Sequence, residues 1–267
     1  MRERLLAERT RAGHWEGELS SSALATATAV CALMIVREQD GLVRDGIRWL
    51  NEHQNDDGGF GDADGCPSNL STTTLAWATL SMHGSSAAGP AEDWLKERVG
   101  DLTAESMATA ISRVYGEDRT FSVPILTHCA LAGRCAWDRI PVLPFELAIL
   151  PHASFKLVGL PVVSYALPAL IAIGIAQHRH YPSHNSFRRH LRELAQGKSL
   201  RLLELLQPPS GGFLEATPLT SFVTMSLAGS DLANHPVTRK GVEFLTTSVR
   251  EDGSWPIDTN LSTWVTT

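Results

Sequence analysis

Apolar and polar positions alternate along the chain in blocks, and each block is the length of a helix. Four segments carry almost no charge and are apolar on most faces, which is typical of buried helices. They are SSSALATATAVCALMI, NLSTTTLAWATLSM, TPLTSFVTMSLAG and NLSTWVTT. Three others, GIRWLNEHQ, LRLLELLQ and KGVEFLTTSVR, are amphipathic and charged. The pattern therefore predicts inner helices that alternate with outer helices, and the Ser/Thr/Asn clusters are expected to cap the inner ones.

A turn signature separates the outer helices from the inner ones. Between Arg44 and Asp62 it reads basic-Gly-x-x-aromatic-Leu-x-x-x-Gln-x-x-x-Gly-x-aromatic. The segment that ends at Trp255 repeats most of it, with Val249 near the position of the glutamine, and a third copy ends at Phe213. Trp15 marks a degenerate first copy. The steps of 45 residues from Trp15 to Phe60 and 42 from Phe213 to Trp255 suit two helices and two turns.

Each residue type in this signature has a physical role at the end of a helix. Glycine permits the positive φ of a tight turn. A glutamine amide bridges backbone groups that a helix end leaves without partners, and the aromatic ring covers that amide. We therefore predict a set of structural staples between neighbouring repeats, formed by Trp15, Gln54, Phe60, Gln207, Phe213 and Trp255.

The predicted fold is all-α, an α/α barrel (toroid) of inner and outer helices. Heavily buried inner helices favour a closed barrel over an open solenoid. FSVPILTHCALAG, residues 121–133, predicts a further buried helix. Between Trp94 and His190, however, the repeat is hard to follow in the sequence.

Composition narrows the class of protein. The 267 residues are 43 % hydrophobic and 19 % charged, so the chain can bury a sizeable core. A net charge of −6 without a run of Lys or Arg argues against nucleic acid as a partner. Cys31, Cys66, Cys129 and Cys135 form no Cys-x-x-Cys pair, which favours reduced thiols over a metal site or disulfides. The N-terminus lacks an apolar signal core, so we expect a cytoplasmic protein without cofactor or metal.

The segment from Ile140 to Gln177 is apolar and rich in proline. No formal charge occurs between Lys156 and Arg179, a length that could cross a bilayer. Pro161 and Pro168 make a straight span unattractive. Two interpretations remain, a buried barrel helix or a buried helix preceded by an apolar ledge that touches a membrane from one side through residues 140–176. The nearby His178, His180 and His184 fit a solvated loop better than a metal site.

The turn signature resembles the repeat of the triterpene cyclases, the squalene–hopene and oxidosqualene cyclase family. The resemblance is collinear over essentially the whole chain, from WEGELSSSALATATAV through WDRIPVLPFELAILP to ATPLTSFVTMSLAG and HPVTRKG. LPVVSYALP is similar to a segment that sends an aromatic side chain into the substrate cavity, with Tyr165 in that place. WPIDTNLSTWV is similar to a Trp-Asp-Thr segment, in which Asp258 and Thr259 match and Ile257 replaces the tryptophan.

This resemblance implies an isomerase that protonates a linear polyprenyl hydrocarbon such as squalene and guides a cascade of carbocations. It also implies peripheral membrane association, and a homodimer is one assembly that the resemblance suggests. The candidate cavity residues are Tyr165, Pro218, Trp255, Asp258 and Thr259. Structural interpretations stand beside them: core packing for Tyr165, a first-turn proline for Pro218, a staple for Trp255 and a helix N-cap for Asp258.

The family's proton donor, the middle Asp of Asp-x-Asp-Asp, has no counterpart in these 267 residues, so no catalytic residue is assigned. Asp62-Ala63-Asp64 and Asp56-Asp57 fit solvated turns instead. In the family the acid follows the Trp-Asp-Thr segment. We therefore expect an N-terminal helix and strap (1–20), a first barrel (21–250) and the truncated start of a catalytic barrel (251–267), inactive on its own.

Two other functions remain open. A non-catalytic helical-repeat scaffold or lipid-binding module would explain the missing acid. A class II diterpene cyclase would use the same fold, but it needs basic residues for a diphosphate, and the predicted inner helices carry no Lys or Arg. A protein prenyltransferase β-subunit would need zinc ligands that we cannot assemble from the sequence.

Overall fold

The computed structural model describes residues 2–15, 19–115, 119–149 and 166–259. In these ranges the chain is helical, and its only extended pairings are two isolated bridges, Ser21 with Pro256 and Ala216 with Asp258. The predicted all-α class is therefore confirmed.

The helices fall into an inner and an outer set. The inner helices are α2 (Ala23–Val36), α4 (Leu70–His83), α7 (Arg119–Leu131), α8 (Leu167–His180) and α10 (Thr217–Leu227). The outer helices are α3 (Asp40–Glu52), α5 (Ala88–Val99), α6 (Ala104–Tyr115), α9 (Ser186–Leu206) and α11 (Pro236–Thr247). The remaining elements are α1 (Arg2–Ala7), the 3-10 turns Trp137–Arg139, Phe145–Ile149 and Phe213–Glu215, and a π turn at Ala228–Leu232.

The inner helices form a closed ring. α2 packs against α4 and α10, α4 against α7, α7 against α8, and α8 against α10. Each outer helix lies on one inner helix: α3 on α2, α5 on α4, α6 on α7, α9 on α8 and α11 on α10. The side chains at the contacts between inner helices are small; in α2, for example, every alanine from Ala23 to Ala29 is buried. Small side chains let neighbouring helices approach closely, which is what a narrow ring requires.

The inner helices run parallel to one another, so their C-terminal ends lie together at one end of the ring. At one end, Arg134 after α7 donates to the carbonyl of Ser81 near the end of α4, and His180 at the end of α8 contacts the carbonyl of Gly229 beyond α10. At the opposite end, Ser22 caps α2 by accepting from the Ala25 N–H, and Asn69 caps α4 through Thr72. The predicted capping cluster is wrong for α10, whose N-cap is Ala216 without a side-chain bond, because the chain pairs there with Asp258 instead.

The three glycine turns between outer and inner helices have the same backbone geometry. Gly58, Gly211 and Gly253 each have φ between +82° and +87°. Each donates its N–H to the carbonyl three residues earlier, at 2.8 Å for Gly58 and 3.0 Å for the other two. This shared bond sets the register of the three copies and aligns Val249 with Gln54 and Gln207.

The glutamine amides connect consecutive repeats. Gln54 Nε2 donates to the carbonyls of Gly58 at 2.8 Å and Ala87, just before α5, at 3.0 Å. Gln207 Nε2 bonds in the same way to Gly211 at 2.9 Å and to Val237 of α11 at 3.0 Å. Each amide therefore ties the end of one outer helix to the start of an outer helix further along the chain.

In the third turn a different side chain makes the link. Val249 has no amide, and the guanidinium of Arg250 donates instead to the Ser21 hydroxyl at 2.9 Å and to the Leu19 carbonyl. The link therefore joins the turn after α11 to the residues that precede α2, so the last repeat connects to the first.

The turn aromatics Phe60, Phe213 and Trp255 are buried and bind the inner helices through their backbone. Their N–H groups donate to threonine hydroxyls at 2.9, 2.9 and 3.0 Å, and each threonine is the fourth residue of an inner helix. The acceptors are Thr73 of α4, Thr220 of α10 and Thr26 of α2. The Trp255 indole also donates to the Leu245 carbonyl at 2.8 Å, so this residue closes the ring between α11 and α2.

In the segment from Trp94 to His190, where the repeat was hard to follow, the strict alternation breaks: the two outer helices α5 and α6 follow one another, and the next two described α-helices, α7 and α8, are both inner. Trp94 of α5 corresponds to Phe244 of α11, because each ring packs on a turn glycine. A Cβ added at Gly59 would lie 2.8 Å from Trp94 Cε2, and one at Gly212 would lie 2.3 Å from Phe244 Cε2. These turns accept no side chain at that position.

Trp15 lies in the N-terminal segment and is half-buried. The Arg9 guanidinium stands 5.4 Å from the centre of its ring. Residues 16–18, which follow it, lie outside the described ranges, so its role as a staple stays a prediction.

The glutamine staples give a first prediction. Replacing Gln207 by Leu removes a buried amide and leaves the carbonyls of Gly211 and Val237 without their donor, which should lower the free energy of unfolding by about 2 kcal/mol. Gln54→Leu removes the same bonds at a more exposed turn, where water can replace the amide, and should cost about 1 kcal/mol. Urea unfolding followed by circular dichroism measures both. No loss in either variant would show that the amides do not stabilise the ring, and equal losses would show that burial does not set the size of their contribution.

Candidate functional site

The segment from Ser254 to Thr259 crosses the end of the ring where the inner helices begin. The Ser22 N–H donates to the Trp255 carbonyl at 3.0 Å, and Ser21 bridges Pro256. Further along, the Thr217 N–H donates to the Ile257 carbonyl at 2.9 Å. The segment is therefore held by the first residues of both α2 and α10.

Three of the predicted site residues meet on this segment or beside it. Asp258 bridges Ala216, and the Thr259 N–H donates to the Glu215 carbonyl at 3.0 Å. Pro218 lies in the first turn of α10, two residues after this pairing, and is half-buried. The structure thus brings Pro218, Asp258 and Thr259 to one edge of the ring.

The other two predicted site residues behave differently. Trp255 is 0 % exposed, and both of its N–H groups have acceptors inside the ring, so in this structure it acts as a staple. Tyr165 lies outside the described residues.

The same end of the ring presents a group of partly exposed apolar side chains. They belong to the first two turns of inner helices and pack on the core beneath them: Leu24, Leu70, Leu167, Leu170, Leu219 and Phe222. We refer to these six residues as the apolar mouth. Partly exposed apolar side chains at one end of a helical ring form a surface that favours an apolar partner.

Polar groups below the mouth are neutral. The Thr79 hydroxyl lies 3.0 Å from the carbonyls of Ala27 and Leu75 and 3.0 Å from His128 Nε2. Because the hydroxyl proton goes to a carbonyl, His128 Nε2 donates to Thr79. Burial lowers the pKa of His128 to about 3, so its ring is uncharged and contributes no proton near neutral pH.

The described residues contain no free acid in the core. Glu146 is their one buried carboxylate, and both of its oxygens accept from Arg192 Nε at 3.1 and 3.0 Å. Arg192 is itself 3 % exposed. A carboxylate whose two oxygens both accept from a buried guanidinium is engaged in that ion pair and is not a free acid for protonating an alkene.

This ion pair fixes the start of the predicted membrane ledge. Arg192 also donates to the Leu143 carbonyl at 3.3 Å, and the Gln177 amide bonds Leu143 N–H and the Pro141 carbonyl, both at 2.9 Å. Leu143 and Phe145 are buried, whereas Val142 is 46 % exposed. The described part of the ledge is thus anchored to α8 and α9, and residues 150–165 lie outside the described ranges.

The remaining sequence candidates do not assemble into a site. His180 stacks on Trp137 with ring centres 4.4 Å apart, whereas His178 packs near Phe145. Within the described ranges no three His, Cys, Asp or Glu side chains could together hold a metal ion. Burial raises the pKa of Cys31 to about 12, which keeps that thiol protonated. No described helix is both long enough and apolar enough to cross a bilayer.

Sequence reasoning missed the threonines that hold the turns. It treated the Ser/Thr clusters as helix caps alone. The hydroxyls of Thr26, Thr73 and Thr220 accept hydrogen bonds from the backbone N–H groups of the turn aromatics. Each of these threonines is the fourth residue of its helix, and this shared position could have identified them in the sequence.

Comparison with known proteins agrees with the sequence pattern. Residues 1–210 match the family model described as the squalene-hopene cyclase N-terminal domain. A squalene hopane cyclase of Aspergillus fumigatus is 30 % identical over 179 residues, which is 64 % of this chain and 22 % of that protein. A terpene cyclase–glycosyl transferase fusion protein of Humicola fuscoatra is 32 % identical over 185 residues, 65 % of this chain and 13 % of the relative.

Two further similarities complete the comparison. The enfumafungin synthase of Hormonema carpetanum is 31 % identical over 174 residues, 64 % of this chain and 12 % of that protein. The chain thus spans less than a quarter of the length of each curated relative. A solved structure of a protein from Actinoplanes aligns with 95 % of this chain and 80 % of its own, at 17 % identity and a TM-score of 0.35.

The buried histidine makes stability depend on pH. Because the pKa of His128 falls from 6.5 to about 3 on folding, the unfolded chain binds a proton between these values and the folded chain does not. Stability should therefore fall as the pH drops below about 6.5, with a contribution from His128 of about 1.4 kcal/mol per pH unit.

Unfolding titrations from pH 7 to pH 4 test this. His128→Gln should flatten the pH dependence, whereas His190→Gln, a change at an exposed histidine, should leave it as it is. An unchanged slope in His128→Gln would rule out a buried neutral imidazole.

Proposed function

We propose that this chain, which belongs to the squalene-hopene cyclase N-terminal domain family, is the N-terminal portion of a terpene cyclase. In the intact protein it would form one wall of a cavity in which a linear polyprenyl hydrocarbon is protonated and cyclised. The family assignment confirms the resemblance seen in the turn signature. The observation that carries the proposal is the apolar mouth at the end of a closed ring, bordered by the segment with Asp258 and Thr259.

Hydrocarbon burial would supply the binding energy. A squalene-like substrate has no group to recognise by hydrogen bonding, and apolar surface removed from water contributes roughly 25 cal/mol per Å². Leu24, Leu70 and Leu219 each place a partly exposed side chain at the mouth, and the first turns that carry them hold no Lys or Arg. One inner helix, α7, begins with a basic residue, Arg119, but the three first turns that carry these leucines have none, which favours a hydrocarbon over the diphosphate of a class II diterpene cyclase substrate.

Aromatic side chains would stabilise the cations. Phe222 stands partly exposed at the mouth, in edge contact with the neutral His128 ring at 6.5 Å. An aromatic face is worth about 0.5–2 kcal/mol to a desolvated cation. In the proposed cavity Phe222 and Tyr165 would have this role, with Pro218 as a rigid wall and Asp258 and Thr259 at the rim. Trp255 would hold the rim segment in place.

The acid would come from elsewhere in the intact protein. The 267 residues contain no Asp-x-Asp-Asp, and Glu146 is paired with Arg192. We therefore assign no catalytic residue in this chain and propose that the proton donor belongs to a second barrel.

An apolar substrate also calls for a route from a bilayer. We propose cytoplasmic, peripheral membrane association through residues 140–176, with hopanoid-type triterpenoids as the product class. Exposure of Val142 beside the buried Leu143 supports a ledge with one apolar side outward.

A non-catalytic lipid-binding module is the second candidate. The absence of the acid motif and the neutral interior around His128 favour it, because the same apolar mouth could hold a polyprenyl chain without changing it.

Incubation of squalene with the intact gene product and with residues 1–267 alone separates these functions. We expect cyclic triterpenes, detected by gas chromatography and mass spectrometry, from the intact protein and none from residues 1–267. Phe222→Leu in the intact protein should lower turnover about tenfold through loss of the aromatic face. Phe187→Leu, on the exposed side of α9, serves as the matched control.

Other outcomes would contradict specific parts of the proposal. Tight binding of squalene by the intact protein without any product would favour the lipid-binding module. Cyclic product from residues 1–267 alone would show that the chain carries an acid that we did not assign.

A further inference from the structure

The first part of the predicted membrane ledge carries one formal charge, and that charge is buried. From Ile140 to Phe155 the sequence contains a single formally charged residue, Glu146. Its side chain is 8 % exposed and lies against the guanidinium of Arg192, which is 3 % exposed. The exposed residues of the same stretch, Val142 and Pro144, are apolar. The described part of the ledge therefore presents no charged side chain to its surroundings.

Two side chains of the ring hold the backbone of this stretch. Prolines interrupt regular secondary structure here, because a proline has no N–H to donate. The Gln177 amide of α8 accepts from the Leu143 N–H and donates to the Pro141 carbonyl, both at 2.9 Å. Arg192 of α9 donates to the Leu143 carbonyl at 3.3 Å and to the two Glu146 oxygens at 3.1 and 3.0 Å. One guanidinium therefore fixes both the backbone and the acidic side chain of the stretch.

Phe145 packs between Arg192 and α8. The guanidinium stands 5.7 Å from the centre of the phenyl ring, and a Cβ added at Gly174 would lie 2.7 Å from the Phe145 Cβ. The neighbouring His178 adds no charge near neutral pH, because burial lowers the pKa of its imidazole. Two other charged residues near this imidazole are exposed to water: Arg189 and Glu193. The buried acid and the buried guanidinium are therefore left to pair with each other.

An ion pair in such a place contributes direction more than stability. The attraction between two buried charges is offset by their removal from water, and an apolar pair of similar volume commonly stabilises a core as well. A guanidinium, however, presents several N–H donors in a planar fork, so that it can hold a carboxylate and a carbonyl in one fixed geometry. The pair therefore suits a stretch of chain whose conformation has to be set.

We propose that Arg192 and Glu146 are positioning residues for the uptake of a polyprenyl hydrocarbon from a bilayer. By holding the stretch from inside the protein, they keep Val142 and Pro144 outward, where uncharged side chains can enter the interfacial region of neutral lipid. They also remove the one charge of the stretch from that surface, where its desolvation would oppose contact with lipid. This inference deepens the proposed function and rests on it.

An exchange of arginine for lysine tests the geometry while keeping the charge. In Arg192→Lys the ammonium remains beside Glu146, but it lacks the fork that also bonds the Leu143 carbonyl. With squalene supplied in phosphatidylcholine vesicles, this variant of the intact protein should have a KM about tenfold higher and a kcat within about twofold of the unaltered protein. Arg188→Lys, the same exchange at an exposed position of α9, is the matched control and should change neither constant.

A double variant separates positioning from stability. Glu146→Leu/Arg192→Met replaces both charges by apolar side chains of similar size, so the urea midpoint of residues 1–267 should not fall. Flotation of the same chain with phosphatidylcholine vesicles should nevertheless show binding about tenfold weaker than that of the unaltered chain. Circular dichroism confirms that each variant is folded.

The two experiments distinguish a failure of this inference from a failure of the cyclase proposal. Unchanged KM and unchanged vesicle binding in the variants would overturn the inference alone, as would an unaltered chain that does not bind the vesicles. A double variant whose urea midpoint falls together with its vesicle binding would show that the pair is structural, which also overturns it. An intact protein that makes no product would contradict the cyclase proposal, and flotation would still decide the role of the pair.

Discussion

One backbone hydrogen bond attaches each of the three glycine turns to an inner helix, and the ring depends on these bonds. The donors are the N–H groups of Phe60, Phe213 and Trp255. In every case the acceptor is a buried threonine hydroxyl at the fourth helix position. A buried N–H without an acceptor would cost about 1–3 kcal/mol, so the turn, the aromatic and the helix are fixed together. The last of these bonds spans 229 residues and makes the chain a closed ring rather than an open solenoid.

Closure has consequences for what the interior can contain. A ring of tightly packed helices excludes water, so groups inside it must be paired or neutral. His128 meets this condition by losing its charge, and the Glu146–Arg192 pair by mutual neutralisation. Among the described residues the interior therefore holds no unpaired acid, and under the proposed function the substrate would meet the mouth, where Leu219 and Phe222 are partly exposed. In the proposed function the ring would supply one apolar wall of the substrate cavity, and another part of the intact protein would supply the acid.

The sequence predicted the inner and outer helices of the recognisable repeats well because both follow from local patterns, but it did not predict the consecutive outer helices α5 and α6. Three of the four charge-free segments became inner helices, and the fourth, residues 260–267, lies outside the described residues. Gln54 and Gln207 made bonds within four residues and to one neighbouring repeat. Contacts between distant residues could not be read in this way. Arg250 donates to the Leu19 carbonyl and so makes the link that Val249, without an amide, cannot make. Trp94 takes the repeat position of Phe244, but the sequence around it no longer shows the repeat.

Photo-crosslinking of a benzophenone-bearing squalene analogue to the intact protein tests the central claim most directly. Peptide mapping by mass spectrometry would locate the attached label. A closed ring with an apolar mouth against the substrate predicts label at the beginnings of α2 and α10, on Leu24, Leu219 or Phe222. Label found only on outer helices, or none within residues 1–259, would contradict the assignment of this end of the ring to the substrate.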